Sequence, residues 1–263
     1  MKKALSLQKK TRKNIVSPIQ MNSFKDMKQI IRSSVIVIAL WSIVGVIQSR
    51  ASKPVGEARP TVSVLGDSYS TFEGFITPDS METWYFARPD LRRTDVVKVG
   101  QTWWHQVVRR MGWKLERNNS WSGATICYSG YNDEDYKPRS FITRLDDLGS
   151  PDVILVFGGT NDSWANSPIG EFKYEGWRRA DLYTFRPAMA YLLDHLIERY
   201  PTADIVFIAN SELKDEITGS MKTICDHYKV PMIQLHDIEK QNGHPNIKGM
   251  QQIADQLVSF LKK

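Results

Sequence analysis

The sequence predicts an α/β fold, a three-layer α/β/α sandwich around a five-stranded parallel sheet. Three observations predict it. From Pro60 onward, apolar runs of strand length alternate with segments of helical period. Several of those runs are continuously apolar and rich in Val and Ile, as parallel strands covered on both faces are. Alternation of this kind places helices on both sides of one sheet.

In chain order, the first strand is TVSVL, residues 61–65, directly after Pro60. A helix over 102–111 leads to a second strand over 114–118. The third, VILVF at 153–157, is apolar throughout. A helix over 186–199 precedes IVFIA at 205–209, and one over 214–228 precedes the fifth strand at 232–235. The last helix, 247–261, carries Ile247, Met250, Ile253, Ala254, Leu257, Val258 and Leu261 on a helical period. Longer loops over 69–99 and 161–183 interrupt the pattern. No repeat, low-complexity tract or second domain is visible.

The chain of 263 residues is 41% hydrophobic and 24% charged, which excludes a disordered chain and a multi-pass membrane protein. Its formal charge of +6 is unevenly placed. Ten Lys/Arg and one acid fall in residues 1–50, leaving 25 bases against 28 acids elsewhere. The globular part is therefore mildly acidic, and composition gives no support to nucleic-acid binding.

Residues 1–50 read as a basic leader and signal peptide or N-terminal anchor, 51–59 as a linker, and 60–263 as the domain. The apolar run 35–47, broken only by Ser42 and Gly45, is short for a membrane span of about 20 residues but suits a signal-peptide core. Lys28 and Arg32 precede it, and Met21 or Met27 would give a leader of usual length. The small residues around Ser49 and Ala51 are a weak cleavage site, so an uncleaved anchor is the alternative. No Cys directly follows the run, which excludes a lipoprotein anchor. The expected location is periplasmic or extracellular, with membrane contact only through this segment if it is retained. Cys127 and Cys225 are too few for a disulfide framework and read as buried free thiols. No spacing suggests a metal, and no cofactor is expected.

Open parallel sheets bind ligands at the carboxyl ends of their strands. Strand one runs into Gly66-Asp67-Ser68-Tyr69-Ser70, strand two into Ser120-Trp121-Ser122-Gly123, and strand three into Gly158-Gly159-Thr160-Asn161-Asp162. A loop after strand five carries Gly243-His244-Pro245 just before the final helix. GDSYS, SG, GGTND and a late GHP, in that order over residues 61–262, resemble the four blocks of the SGNH (GDSL-type) hydrolases. The resemblance implies a flavodoxin-like sandwich and an esterase, lipase or carbohydrate deacetylase. By motif position it implies Ser68 as nucleophile and His244 as general base. It also implies the backbone N–H groups of Ser68 and Gly123, and the Asn161 side chain, as oxyanion-hole donors.

The residue chemistry agrees. A serine hydroxyl needs an adjacent base to attack near neutral pH. Ser68, on an expected strand-to-helix turn, would sit where helix N–H groups favour negative charge. Gly123 allows close backbone approach, and Asn161 supplies an N–H without a competing charge. An α/β-hydrolase elbow would need Gly where Ser70 stands. His105, His195 and His227 lie in helical stretches and read as structural, and His236 ends strand five. Asp67 and Asp162 read as loop braces. Trp84, Trp121 and Trp164 lie in or beside the site loops, so each is a possible substrate contact as well as a possible core residue.

One position departs from the family. Its Asp three residues before the catalytic His is Gln241 here. Either Asp237 or Glu239 folds back as a displaced third member, or a Ser68–His244 dyad works with a carbonyl holding the ring N–H. The dyad is favoured over Asp237. Two other classes compete: a flavodoxin-like cofactor binder with GDSYST cradling a phosphate, and a non-catalytic sugar-binding relative, supported only by Gln241. The expected substrate is a small-molecule or glycan ester, with a lean to short-acyl carbohydrate esters.

Overall fold

In the computed structural model, which describes residues 59–263, five strands form one parallel sheet in the order β2-β1-β3-β4-β5. They are β1 (Thr61–Gly66), β2 (Lys114–Ser120), β3 (Val153–Phe157), β4 (Asp204–Ala209) and β5 (Met232–Gln234). The expected leader (1–50) and all of the linker up to residue 58 lie outside the described residues.

Side chains on a strand alternate between faces, and here the alternation sorts the core into two layers. Ile154, Val156, Ile205, Phe207 and Ala209 point to one face. There they meet α2 (Phe141–Arg144), α4 (Phe185–Arg199) and α5 (Asp215–Tyr228), through residues such as Phe141, Leu192, Leu193, Met221 and Ile224. Val153, Leu155, Phe157, Val206 and Ile208 point to the other face. They meet α1 (Trp103–Met111) and α6 (Ile247–Leu261), through Trp103, Trp104, Val107, Met250, Ile253 and Leu257. Both faces of β3 and β4 are thus covered, which is why their sequences are apolar without a break. The result is the three-layer sandwich with a five-stranded parallel sheet.

Where the structure differs from the sequence reading, the cause is polar sequence inside regular structure. β2 continues to Ser120 because Asn119 and Ser120 pair with Leu65 and Gly66. Their side chains are satisfied internally: Asn119 accepts from Arg144, and the Ser120 hydroxyl donates to Asn118 Oδ1 at 2.6 Å. Two helices were too short to show a period, α2 and α3 (Thr160–Trp164). So was a two-residue hairpin of β6 (Lys240–Gln241) and β7 (His244–Pro245). Asn246 caps α6 by accepting from the Gly249 N–H at 2.8 Å. Cys127 and Cys225 are buried free thiols.

In this strand order the chain reverses direction of growth between β1 and β3, so the crevice at their carboxyl ends is where a ligand is expected.

Candidate active site

β1 ends at Gly66, where a Cβ would meet Ser120 Oγ and Ser70 Cβ at 2.6 Å, so only glycine lets the strand end pack there. Asp67 is fully buried, and its Oδ1 accepts from the Tyr69 N–H at 3.0 Å. Burial pushes this carboxyl up to about 7, against the Tyr69 N–H and the nearby Arg144 guanidinium. Ser68 opens a single 3-10 turn, Ser68–Ser70, and not an α-helix; among the described residues the first α-helix begins at Trp103, after the long loop expected over 69–99. That corrects the strand-to-helix reading of Ser68. It also removes the helix N-terminus a phosphate cradle would need, and with it the flavodoxin-like cofactor reading.

His244 reaches this turn from β7. Its Nε2 lies 2.9 Å from Ser68 Oγ, and its Nδ1 lies 3.2 Å from the main-chain oxygen of Asn242. A carbonyl only accepts, so Nδ1 carries the proton and Nε2 is left to accept from the Ser68 hydroxyl. Two tyrosines fix the turn: Tyr69 OH donates to Gly243 O at 2.5 Å, and Tyr85 OH to Pro245 O at 2.9 Å. The Trp84 ring lies flat on the imidazole, centroids 3.5 Å apart and planes 8° apart.

Asp237 is corrected as a third member. It sits at φ 54 with its carboxylate in solvent, paired with His236 Nδ1 at 2.9 Å. Glu239 is equally occupied, with Lys248 at 2.7 Å and Asn246 at 2.8 Å. Gln241 does not face His244 either. Its amide donates to the carbonyls of Leu91 and Arg92, and the Asn242 amide donates to those of Arg92 and Arg93. The polar pair that interrupts the family pattern thus ties the histidine turn to the 91–93 loop. Asp237→Asn and Glu239→Gln are each expected to lose less than about tenfold in kcat, against the roughly 10⁴ that follows loss of a triad carboxylate. Steady-state kinetics of either variant showing a thousandfold loss with an unchanged fold would contradict this placement.

The oxyanion-hole candidates converge on the same crevice. The Trp121 N–H donates to Gly66 O at 3.2 Å, which folds the loop bearing Gly123 (φ 79) over the end of β1. Asn161, on α3, donates from Nδ2 to Ala124 O at 3.0 Å and accepts from Tyr131 OH at 2.9 Å. Tyr131 therefore decides which way the amide faces, and one Nδ2 hydrogen stays uncommitted. Neither the Ser68 nor the Gly123 N–H donates to another described residue. Asp162 braces the same loop by accepting from the Ile126 and Cys127 N–H groups at 2.8 and 3.2 Å, and burial pushes its carboxyl up to about 6. The buried Arg144 guanidinium clamps the floor through Gly66 O and Asn119 O. Sequence reasoning missed the roles of Tyr69, Tyr131 and Arg144: Tyr69 stands inside GDSYS but acts on the distant histidine turn, and Tyr131 and Arg144 lie in no motif.

Of the three tryptophans, Trp164 stands 39% exposed at the rim, edge-on to His244 at 5.9 Å. Trp84 is the plate behind the histidine. Trp121 is half-buried and packs on the core layer of α2, α4 and α5, with Arg139 above it.

Burial pulls the His244 pKa down to about 4, assisted by the Arg93 and Lys240 charges and opposed by the Asn242 carbonyl. The neutral ring is the form that can accept a proton. Activity carried by this pair should therefore hold as pH falls through 6.5 and be lost only toward about 4. A kcat/KM profile with its acid limb near 6.5 would contradict the buried, neutral histidine.

The sequence matches the GDSL-like Lipase/Acylhydrolase family over residues 60–261. The chain belongs to this family. Among solved structures, a Bacteroides ovatus protein described as a GDSL-like lipase is 56% identical over 78% of this chain and 99% of its own, with a TM-score of 0.77. A Bacteroides uniformis protein with the same description is 51% identical over 80% of this chain and 99% of its own, again at 0.77. A family two carbohydrate esterase from Clostridium thermocellum, in complex with cellohexaose, shares the fold at 16% identity and a TM-score of 0.53, over 81% of this chain and 65% of its own. No curated protein shows significant similarity to the chain. This GDSL hydrolase is an ester hydrolase.

Proposed function

We propose that the protein is an exported serine esterase that works through an acyl-enzyme on short-acyl, acetyl-type carbohydrate esters. The observation that carries the mechanism is the 2.9 Å contact between Ser68 Oγ and a neutral His244 Nε2. In this reading His244 takes the hydroxyl proton as Ser68 Oγ attacks the ester carbonyl. The negative charge that develops on the carbonyl oxygen falls to the N–H groups of Ser68 and Gly123 and the free Nδ2–H of Asn161. Collapse expels the alcohol, which takes the proton from His244. Water then attacks the acyl-serine with the same base, and the acid leaves.

Among the described residues no carboxylate stands behind His244, so the Asn242 carbonyl holds the tautomer and the pair acts as a dyad. Gln241, which had favoured a non-catalytic sugar-binding protein, is occupied with the 91–92 carbonyls and leaves the pair intact. The carbohydrate part of the reading rests on Trp164, an exposed indole beside the base that can stack on a sugar ring. Export rests on the apolar run 35–47 behind Lys28 and Arg32. The partner is then a glycan or small ester, with no nucleic acid involved. The test is acetate release from a panel of acetylated polysaccharides beside p-nitrophenyl esters of rising chain length. Release from at least one polysaccharide and a preference for acetyl are expected. Faster turnover of long acyl chains would overturn the substrate reading.

A further inference from the structure

The site carries one cation that the mechanism above does not use. The Arg93 guanidinium carbon lies 3.7 Å from the Trp84 ring centroid, while His244 lies 3.5 Å from the same ring. Two groups this close to one ring occupy opposite faces, so Trp84 separates the arginine from the base by one ring thickness. A guanidinium stacked on an aromatic face keeps its N–H donors in its own plane, free to take a carboxylate bidentately, and the 3.7 Å separation is that of such a stack. Arg93 is exposed and forms no side-chain hydrogen bond or ion pair with the described residues. The other cations near the site are spoken for: Arg139 by Glu82 at 3.0 Å, and Lys240 by Glu212 at 2.8 Å. The position of Arg93 is also built. The Gln241 and Asn242 amides hold the carbonyls of residues 91–93, so the arginine is tied to the turn that carries His244.

We propose that Arg93 is a specificity-determining residue that binds a carboxylate on the sugar, so that the natural substrate is an ester of an acidic sugar. The inference rests on the carbohydrate-ester reading. The alcohol departs from the side of His244 Nε2, which places its sugar ring within reach of the Trp84–Arg93 edge. There is an electrostatic reason for an anion at this point. Arg93 opposes protonation of His244, yet His244 must become protonated in the transition state. A substrate carboxylate paired with Arg93 removes that repulsion and supplies negative charge near the imidazolium, where no carboxylate of the described residues does. An acidic substrate therefore gains in kcat as well as in KM.

The experiment compares acetate release from an acetylated methyl galacturonoside and the matching acetylated methyl galactoside, with the wild-type protein and Arg93→Gln. A charge-assisted pair predicts a kcat/KM ratio of about ten- to a hundredfold for the acidic ester, falling toward one in Arg93→Gln and shrinking with salt. Equal turnover of the two esters, or a preference that survives Arg93→Gln, overturns the proposal. Galacturonate binding to Ser68→Ala, followed by tryptophan fluorescence, separates the two readings. Should p-nitrophenyl acetate be cleaved and neither sugar ester, the carbohydrate reading fails. Arg93 then stands as an anion site only if galacturonate binds Ser68→Ala and not the Ser68→Ala, Arg93→Gln double variant; no binding to either overturns it.

Discussion

Ser68→Ala is expected to abolish ester hydrolysis, lowering kcat by about 10⁵–10⁶, the scale seen when the nucleophile of a serine protease is removed. The fold should survive. Ser68 lies in a one-turn 3-10 segment whose cap is the neighbouring Asp67 carboxylate, and its own side-chain oxygen is directed at His244. The variant removes only that oxygen, so the melting temperature and far-UV spectrum should stay close to those of the parent. A serine-directed phosphonate should label the wild-type protein at Ser68 and leave the variant unlabelled. Label on another residue, or full turnover by the variant, would remove Ser68 from the chemistry.

Asn161→Ala is expected to be the next largest change, a loss of about 10²–10³ in kcat with little effect on KM. The amide is held at both ends, by Tyr131 on its oxygen and by Ala124 O on its nitrogen, so its remaining hydrogen is aimed before substrate arrives. A donor preset in this way acts on the oxyanion and hardly at all on the ground-state ester, which is why kcat takes the loss. Single-turnover kinetics would show the deficit in the acylation step. If KM rose at constant kcat, Asn161 would be a substrate contact and not an oxyanion donor.

Much of this site was legible in the sequence because its chemistry sits in short, local signals. Ser68, Asn161 and His244 each follow a strand or precede a helix with a clear apolar pattern, Gly123 follows the polar β2 in a Ser-Gly pair, and the structure brings all four to one crevice. What escaped is long-range. Tyr131 matters through Asn161, 30 residues away, and Tyr69 through Gly243, 174 residues away. Neither pairing leaves a periodicity. Gln241 was read as a gap where a carboxylate belonged, because spacing gives a position along the chain and not the direction of a side chain. Its amide turns toward the 91–92 carbonyls. Asp237 failed for the same reason, since its left-handed backbone carries the carboxylate into solvent.

β1 runs from Thr61 at one end of the sheet to Gly66 at the other, and Ser68 lies just past that far end. α6 returns from beside His244, and Lys263 comes to rest near Val153 and Asp204, at the starts of β3 and β4. The chain therefore enters the domain at the base of the sheet, a strand length of about 20 Å from the reactive serine. An enzyme immobilised on a bead through Arg59 would be held by its base with the crevice turned outward. It could then work on a polymer too large or too insoluble to diffuse to a buried site. Coupling through Lys240, beside the histidine turn, would cover the crevice that the other attachment leaves open.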